Sequence, residues 1–136
     1  MVVDGEGERR VTNAMVRVRW IRVLVAALLA ELVLVAIAVP VTLWVGQTPL
    51  LYIIPPACFL ATLFFGRWAA QKAGANFILH GTLVGLVAAL LYIGLTWSQT
   101  LPMAYLISHG LKVIGGAAGG FLAGRKPTTA AAKTTA

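Results

Sequence analysis

The polar positions of this chain are bunched, and long apolar runs separate them. From Trp20 to about Val45 only Arg22 and Glu31 are charged. Further runs extend from about Leu50 to Ala70, from Phe77 to Trp97 and from Leu101 to about Ala123. A membrane-spanning helix needs about 20 mostly apolar residues, so the pattern predicts four spans. The intervening segments are Gly46-Gln47-Thr48-Pro49, Gln71 to Asn76, and Ser98-Gln99-Thr100. Connections this short predict antiparallel neighbours in a helical bundle.

Prolines mark the expected breaks. Pro102 falls in the first turn of span four, where a proline is well tolerated, and Thr100 is the expected N-cap. Pro40 predicts a bend near the outer end of span one. Pro55-Pro56 either kinks span two or starts it, with residues 50–54 extended. A helix from Pro56 to Ala70 would cover only about 22 Å, so the kink is the expectation.

Composition agrees with the pattern. The 136 residues are 60% hydrophobic and 11% charged, with a mean hydropathy of +0.88. A soluble domain averages about 25% charged residues, so a water-soluble fold is excluded. A disordered chain needs the opposite balance and is excluded too. The net charge of +7 would suggest nucleic acid in a soluble protein. Here it reads as topology. Arg9, Arg10, Arg17, Arg19, Arg22, Arg67, Lys72, Arg125, Lys126 and Lys133 all fall on one side of the four-span frame, which is ten of the eleven cations. The two opposite loops carry none. The positive-inside rule then places both termini in the cytoplasm. A cleavable leader competes for the N-terminal segment, because Ala36-Ile37-Ala38 resembles a cleavage site. Its apolar core would be longer than the usual 7–15 residues and would contain Glu31, so a first span is expected instead.

The expected organisation is a basic tail at 1–19, a four-helix membrane domain at 20–124 and a small polar tail at 125–136. Inner basic residues would attract anionic headgroups. Trp20 and Trp68 fall at inner span ends, and Trp44 and Trp97 at outer ones. All four are expected to anchor the interface, as are Tyr52 and Tyr105 at the outer face.

An offset of 53 residues aligns Trp44 with Trp97, Pro49 with Pro102, Tyr52 with Tyr105 and Gly66 with Gly119. Spans one and two thus predict a duplicated hairpin. Each copy crosses twice, so the repeat is parallel, with a pseudo-twofold axis along the membrane normal. Convergence of outer loops on Trp and Pro is the other explanation.

Span three carries Gly81 and Gly85, and span four carries Gly116, Gly120 and Gly124 at spacing four. Such stripes let helix backbones approach closely in lipid. Contact between spans three and four is expected, and a homo-oligomer or larger membrane complex through one stripe is compatible with it.

Two charges remain. Glu31 lies eleven residues after Trp20, and Lys112 eleven after Leu101. Both distances are about 16 Å, near the midplane of a hydrocarbon core about 30 Å thick. Either charge alone there costs at least about 2.5–3.5 kcal/mol, so the two are predicted to pair. Lys112 shares its face with Tyr105, Ser108 and His109, the most polar face in the chain. The readings are a pair that fixes helix register, or a proton or ion relay in which Glu31 is the carrier and His109 or Lys112 tunes it, with Ser108 and Tyr105 as further polar neighbours; snorkelling without pairing is the remaining alternative. His80 is expected to bond backbone or headgroup. No metal site, cofactor motif or catalytic triad is recognisable, and no enzyme is expected. Cys58, the single cysteine, reads as a small buried hydrophobe.

At Gly119-Gly120-Phe121-Leu122-Ala123-Gly124-Arg125, and at Phe77-Ile78-Leu79-His80-Gly81 with Gly85, the chain resembles a group of small bacterial four-span membrane proteins of unknown function. The resemblance covers about residues 18–126 and implies no activity. Ala30-Glu31 is also similar to the first span of small multidrug transporters, in which a glutamate exchanges protons for cationic drugs. The chain departs from that family in having Lys112, in its one-sided charge and in lacking the other motifs. The expected function is therefore a non-catalytic membrane scaffold or accessory subunit, with a small proton- or ion-coupled transporter or channel using Glu31 as the alternative.

Overall fold

The computed structural model describes residues 18–98, 100 and 102–125. These form four α-helices and no strand: α1 (Trp20–Trp44), α2 (Leu50–Gln71), α3 (Phe77–Leu95) and α4 (Met103–Gly124). At 1.5 Å per residue they are about 37, 33, 28 and 33 Å long. Each is long and apolar enough to cross a membrane. The protein is thus an all-α bundle of the multi-pass membrane type. The expected tails lie outside the described residues, apart from Val18, Arg19 and Arg125.

The helix ends differ from expectation in two places. α3 stops at Leu95, two residues before Trp97, where the Thr96 hydroxyl donates to the Tyr92 carbonyl at 2.8 Å. α4 starts at Met103, and Thr100 does not cap it. Pro102 holds the cap position with an extended ψ of 151° and no side-chain cap. A proline disfavours helical backbone in the residue before it, which argues against a helix that begins ahead of Pro102. α2 runs unbroken from Leu50 through Pro55 and Pro56, so residues 50–54 are helical rather than extended. Its first turn is closed by the Tyr52 and Ile53 amides, which both donate to the Pro49 carbonyl at 3.1 Å. In the connection between α2 and α3 Gly74 adopts a φ of +77°, a conformation that costs glycine nothing.

α4 packs closely against both α2 and α3. α1 packs against α2 and α3 and makes no close backbone approach to α4. The parallel duplication implies an axis that would interchange the pair α1–α4 with the pair α3–α2. Only the second pair meets, so the helix contacts do not have that symmetry.

Backbone-to-backbone contact holds the α2–α3–α4 triplet. A Cβ added to Gly81 would strike the Gly116 carbonyl, and one on Gly85 would strike the Lys112 carbonyl. Gly120 lies in the same way against the backbone of Phe77, and Gly124 rests on the Phe77 ring. The stripe Gly116, Gly120, Gly124 therefore faces α3 of the same chain, and a second copy could use it only by displacing α3. Three further glycines seat α4 on α2. A Cβ on Gly115 would come within 2.5 Å of the Phe59 carbonyl and the Thr62 hydroxyl, and one on Gly66 within 2.9 Å of the Gly116 carbonyl. Gly119 lies against the Leu63 carbonyl. α1 instead packs by small side chains: Val23, Ala26 and Ala27 form one buried cluster with Ala69, Val84 and Ala88.

His80 ties α1 to α3 at the cation-rich end. Its Nε2 accepts from the Arg19 amide at 3.3 Å, and its Nδ1 lies 3.0 Å from the Asn76 carbonyl. With Nε2 as the acceptor, Nδ1 carries the proton and donates it to that carbonyl.

Candidate functional site

Glu31 sits at mid-length on α1, eleven residues after its start and thirteen before its end. Lys112 sits near mid-length on α4, nine residues from its start. Their helices do not touch, yet the Lys112 Nζ lies 2.5 Å from a Glu31 carboxylate oxygen. The two side chains alone bridge the distance between the backbones. The ammonium is almost wholly enclosed, at 2% exposure of the side chain, while Glu31 keeps 15%. The Nζ also stands 4.9 Å from the centre of the Tyr92 ring. A cation over an aromatic face is attracted by the ring quadrupole, worth roughly 2 kcal/mol when desolvated.

The pair forms one end of a cavity of about 100 Å³. Its other walls come from the half of the bundle that ends in the uncharged loops. α1 contributes Leu34 and Ala38, α2 contributes Leu50 and Cys58, and α3 contributes Tyr92. α4 contributes Tyr105, Ser108 and His109. The polar residues singled out on the Lys112 face thus share one space with Glu31. Ser108 is buried and donates its hydroxyl to the Ala104 carbonyl at 2.9 Å. Tyr105 stacks on Tyr92, with ring centroids 6.2 Å apart and planes 13° from parallel. His109 lies 5.1 Å from Tyr92 at a tilt of 50°.

His109 is the unsatisfied member. It is 7% exposed, and both ring nitrogens are buried without a hydrogen-bond partner. An unmade bond on a buried polar group costs about 1–3 kcal/mol. The cavity beside it is large enough for a water or a small solute that would supply those bonds.

In the opposite half the glycines bring α4 to backbone contact with α2 and with α3. The cavity therefore lies in the half of the bundle that ends in the uncharged loops.

Tyr92 and the wall position of Cys58 went unread in the sequence. Tyr92 extends the face Gly81, Gly85, Ala88 by one more turn, and that spacing was the available signal. Cys58 is buried as expected, but it shares the stripe Cys58, Thr62, Gly66 that faces α4.

The four tryptophans are exposed and stand at or near helix ends. Among the described residues no three His, Cys, Asp or Glu side chains come together to hold a metal ion. No protein-family model, no curated protein and no solved structure matches the chain.

Proposed function

We propose that this is a non-catalytic multi-pass protein of the bacterial cytoplasmic membrane that binds a small polar solute or a proton at the Glu31–Lys112 pair. In this reading it acts as a small proton- or ion-coupled transporter or channel. The carrying observation is the cavity in which the unpartnered His109 and the ion pair face one space. A pair that only fixed register would be better served by closed packing, since each unfilled polar contact costs stability.

Both termini are placed in the cytoplasm. Supporting this, Arg19, Arg22, Arg67, Lys72 and Arg125 lie at one end of the described helices, and the loops at the other end are uncharged. The exposed tryptophans at the helix ends serve as interface anchors, and the basic end meets anionic headgroups.

A second reading is favoured by the glycine seams. Backbone contact of α4 with α2 and with α3 suits a scaffold or accessory subunit held together by glycine packing.

Cys58 separates occupied from unreachable. In right-side-out spheroplasts, silver ion added outside should react with Cys58, and a cavity sealed to water would leave it unlabelled. Glu31→Gln in proteoliposomes then separates transport from scaffolding. Proton-coupled flux lost with the fold intact supports the first reading, and no flux in either form leaves the second.

A further inference from the structure

We infer that the cavity takes up one small monovalent anion together with one proton, the anion on Lys112 and His109 and the proton on Glu31. This rests on the solute-binding reading above and names the class of solute. Two features of the site lead to it: the orphaned imidazole and the imbalance between donors and acceptors.

The imidazole of His109 has one N–H donor and one acceptor when neutral. Neither nitrogen is bonded, and the residue is more than nine-tenths buried. Buried polar groups are nearly always satisfied in native proteins. A space of about 100 Å³ borders the ring. One water needs about 10–15 Å³ of such space, so a polyatomic ion of a few heavy atoms fits.

The lining decides which sign of ion. Glu31 is the sole carboxylate among the described residues. Against it stand the Lys112 ammonium, which can only donate, and the His109 ring and the Tyr92 and Tyr105 phenols, which donate as well as accept. An entering cation would have to take Glu31 from Lys112. The displaced ammonium, only 2% exposed, would stay beside it as a like charge. An entering anion instead meets the ammonium and several donors. The one group it would repel is Glu31, and protonation removes that charge.

The charge balance closes. The empty pair is neutral. With Lys112 protonated, one anion bound and Glu31 carrying a proton, the site is neutral again. Net charge at mid-depth is what a membrane penalises most. The proton comes from solution and bonds to a Glu31 oxygen, Lys112 keeps all three of its protons, and no other covalent bond changes. The titratable groups that face Glu31 are Cys58 from α2, Tyr92 from α3, and Tyr105, His109 and Lys112 from α4. Lys112 is the one charged partner it holds. Glu31 is also the more exposed of the pair.

The test titrates the full chain in detergent micelles with sodium thiocyanate, whose infrared nitrile band reports its surroundings, in weak buffer. The expected result is a saturable shifted band, with formate competing. About one proton is taken up per anion, and affinity falls about tenfold per unit rise in pH. E31Q should bind thiocyanate without proton uptake, lose the tenfold pH dependence and gain thermal stability from the anion. K112Q, and the doubly neutral E31Q/K112Q, should not bind. Where E31Q fails to fold, the proton count of the natural chain and the silence of the double variant still decide. Binding without proton uptake by the natural chain, binding that survives in E31Q/K112Q, or no saturable binding overturns the proposal. Methylammonium binding with proton release would assign the opposite class. If Cys58 is labelled by silver while no anion binds, this inference fails and the solute-binding reading stands; an unlabelled Cys58 together with no anion binding removes both.

Discussion

Glu31 and Lys112 meet at 2.5 Å although the helices that carry them make no close approach. The contact is made by side chains alone. The pair therefore reports on the position of α1 relative to the other three helices.

Removing one partner leaves the other charge buried and alone, which costs about 3–5 kcal/mol for a buried pair. Lys112→Met and Glu31→Gln should each lower the unfolding midpoint in detergent. The double variant Glu31→Gln/Lys112→Met should recover most of the loss. Equal and additive losses would mean that the pair does not couple.

The glycines at the α3–α4 seam should not tolerate a side chain. Gly85→Ala places a methyl against the Lys112 carbonyl, and overpacking of this kind costs about 1–3 kcal/mol. Gly94→Ala and Gly110→Ala meet nothing within 4 Å. They should be neutral or stabilising by up to about 1 kcal/mol, the helix preference of alanine over glycine. Unfolding in detergent compares the three directly.

Tyr92→Leu removes the ring beneath the Lys112 ammonium and the stack on Tyr105. The expected loss is about 1–2 kcal/mol. Tyr92→Phe keeps the ring face and should lose much less. The same unfolding measurement applies, and an equal loss in both variants would assign the effect to the hydroxyl.

His80→Ala removes the acceptor of the Arg19 amide. The expected cost is about 1 kcal/mol, felt locally. Amide hydrogen exchange at Arg19 should speed up while exchange in α4 is unchanged.

Topology is open to a direct reading. Reporters fused at either terminus should be active only in the cytoplasm, and cysteines placed at Gln47 or Ser98 should react from outside in a Cys58→Ala background. Two lysines added to the Gly46–Pro49 loop should weaken or invert the insertion, because orientation follows the lysine and arginine bias.

The four helices were legible because length and apolarity settle a spanning segment. The Glu31–Lys112 meeting could be read because each charge is isolated at mid-depth with no other partner in reach. The cavity was not legible. It depends on which faces of α2 and α3 turn inward, and α3 is apolar nearly all round, so its pattern gives no direction. Its small-residue stripe does give one, and Tyr92 lies on that stripe. The start of α4 was misplaced because Thr100 suits a cap, while the backbone constraint at Pro102 overrides the side chain. The twofold arrangement expected from the repeat concerns how helices pack, and residue identities at an offset of 53 do not contain that.

The glycine contacts described above set where the molecule can deform. Backbone touching backbone has no rotamers to adjust, so the seams of α4 with α2 and with α3 can absorb little added volume. α1 meets the other helices through small side chains, one amide bond to His80 at one end, and an ionic contact at mid-length. That ionic contact is the directional tie between the middle of α1 and α4, two helices whose backbones stay apart.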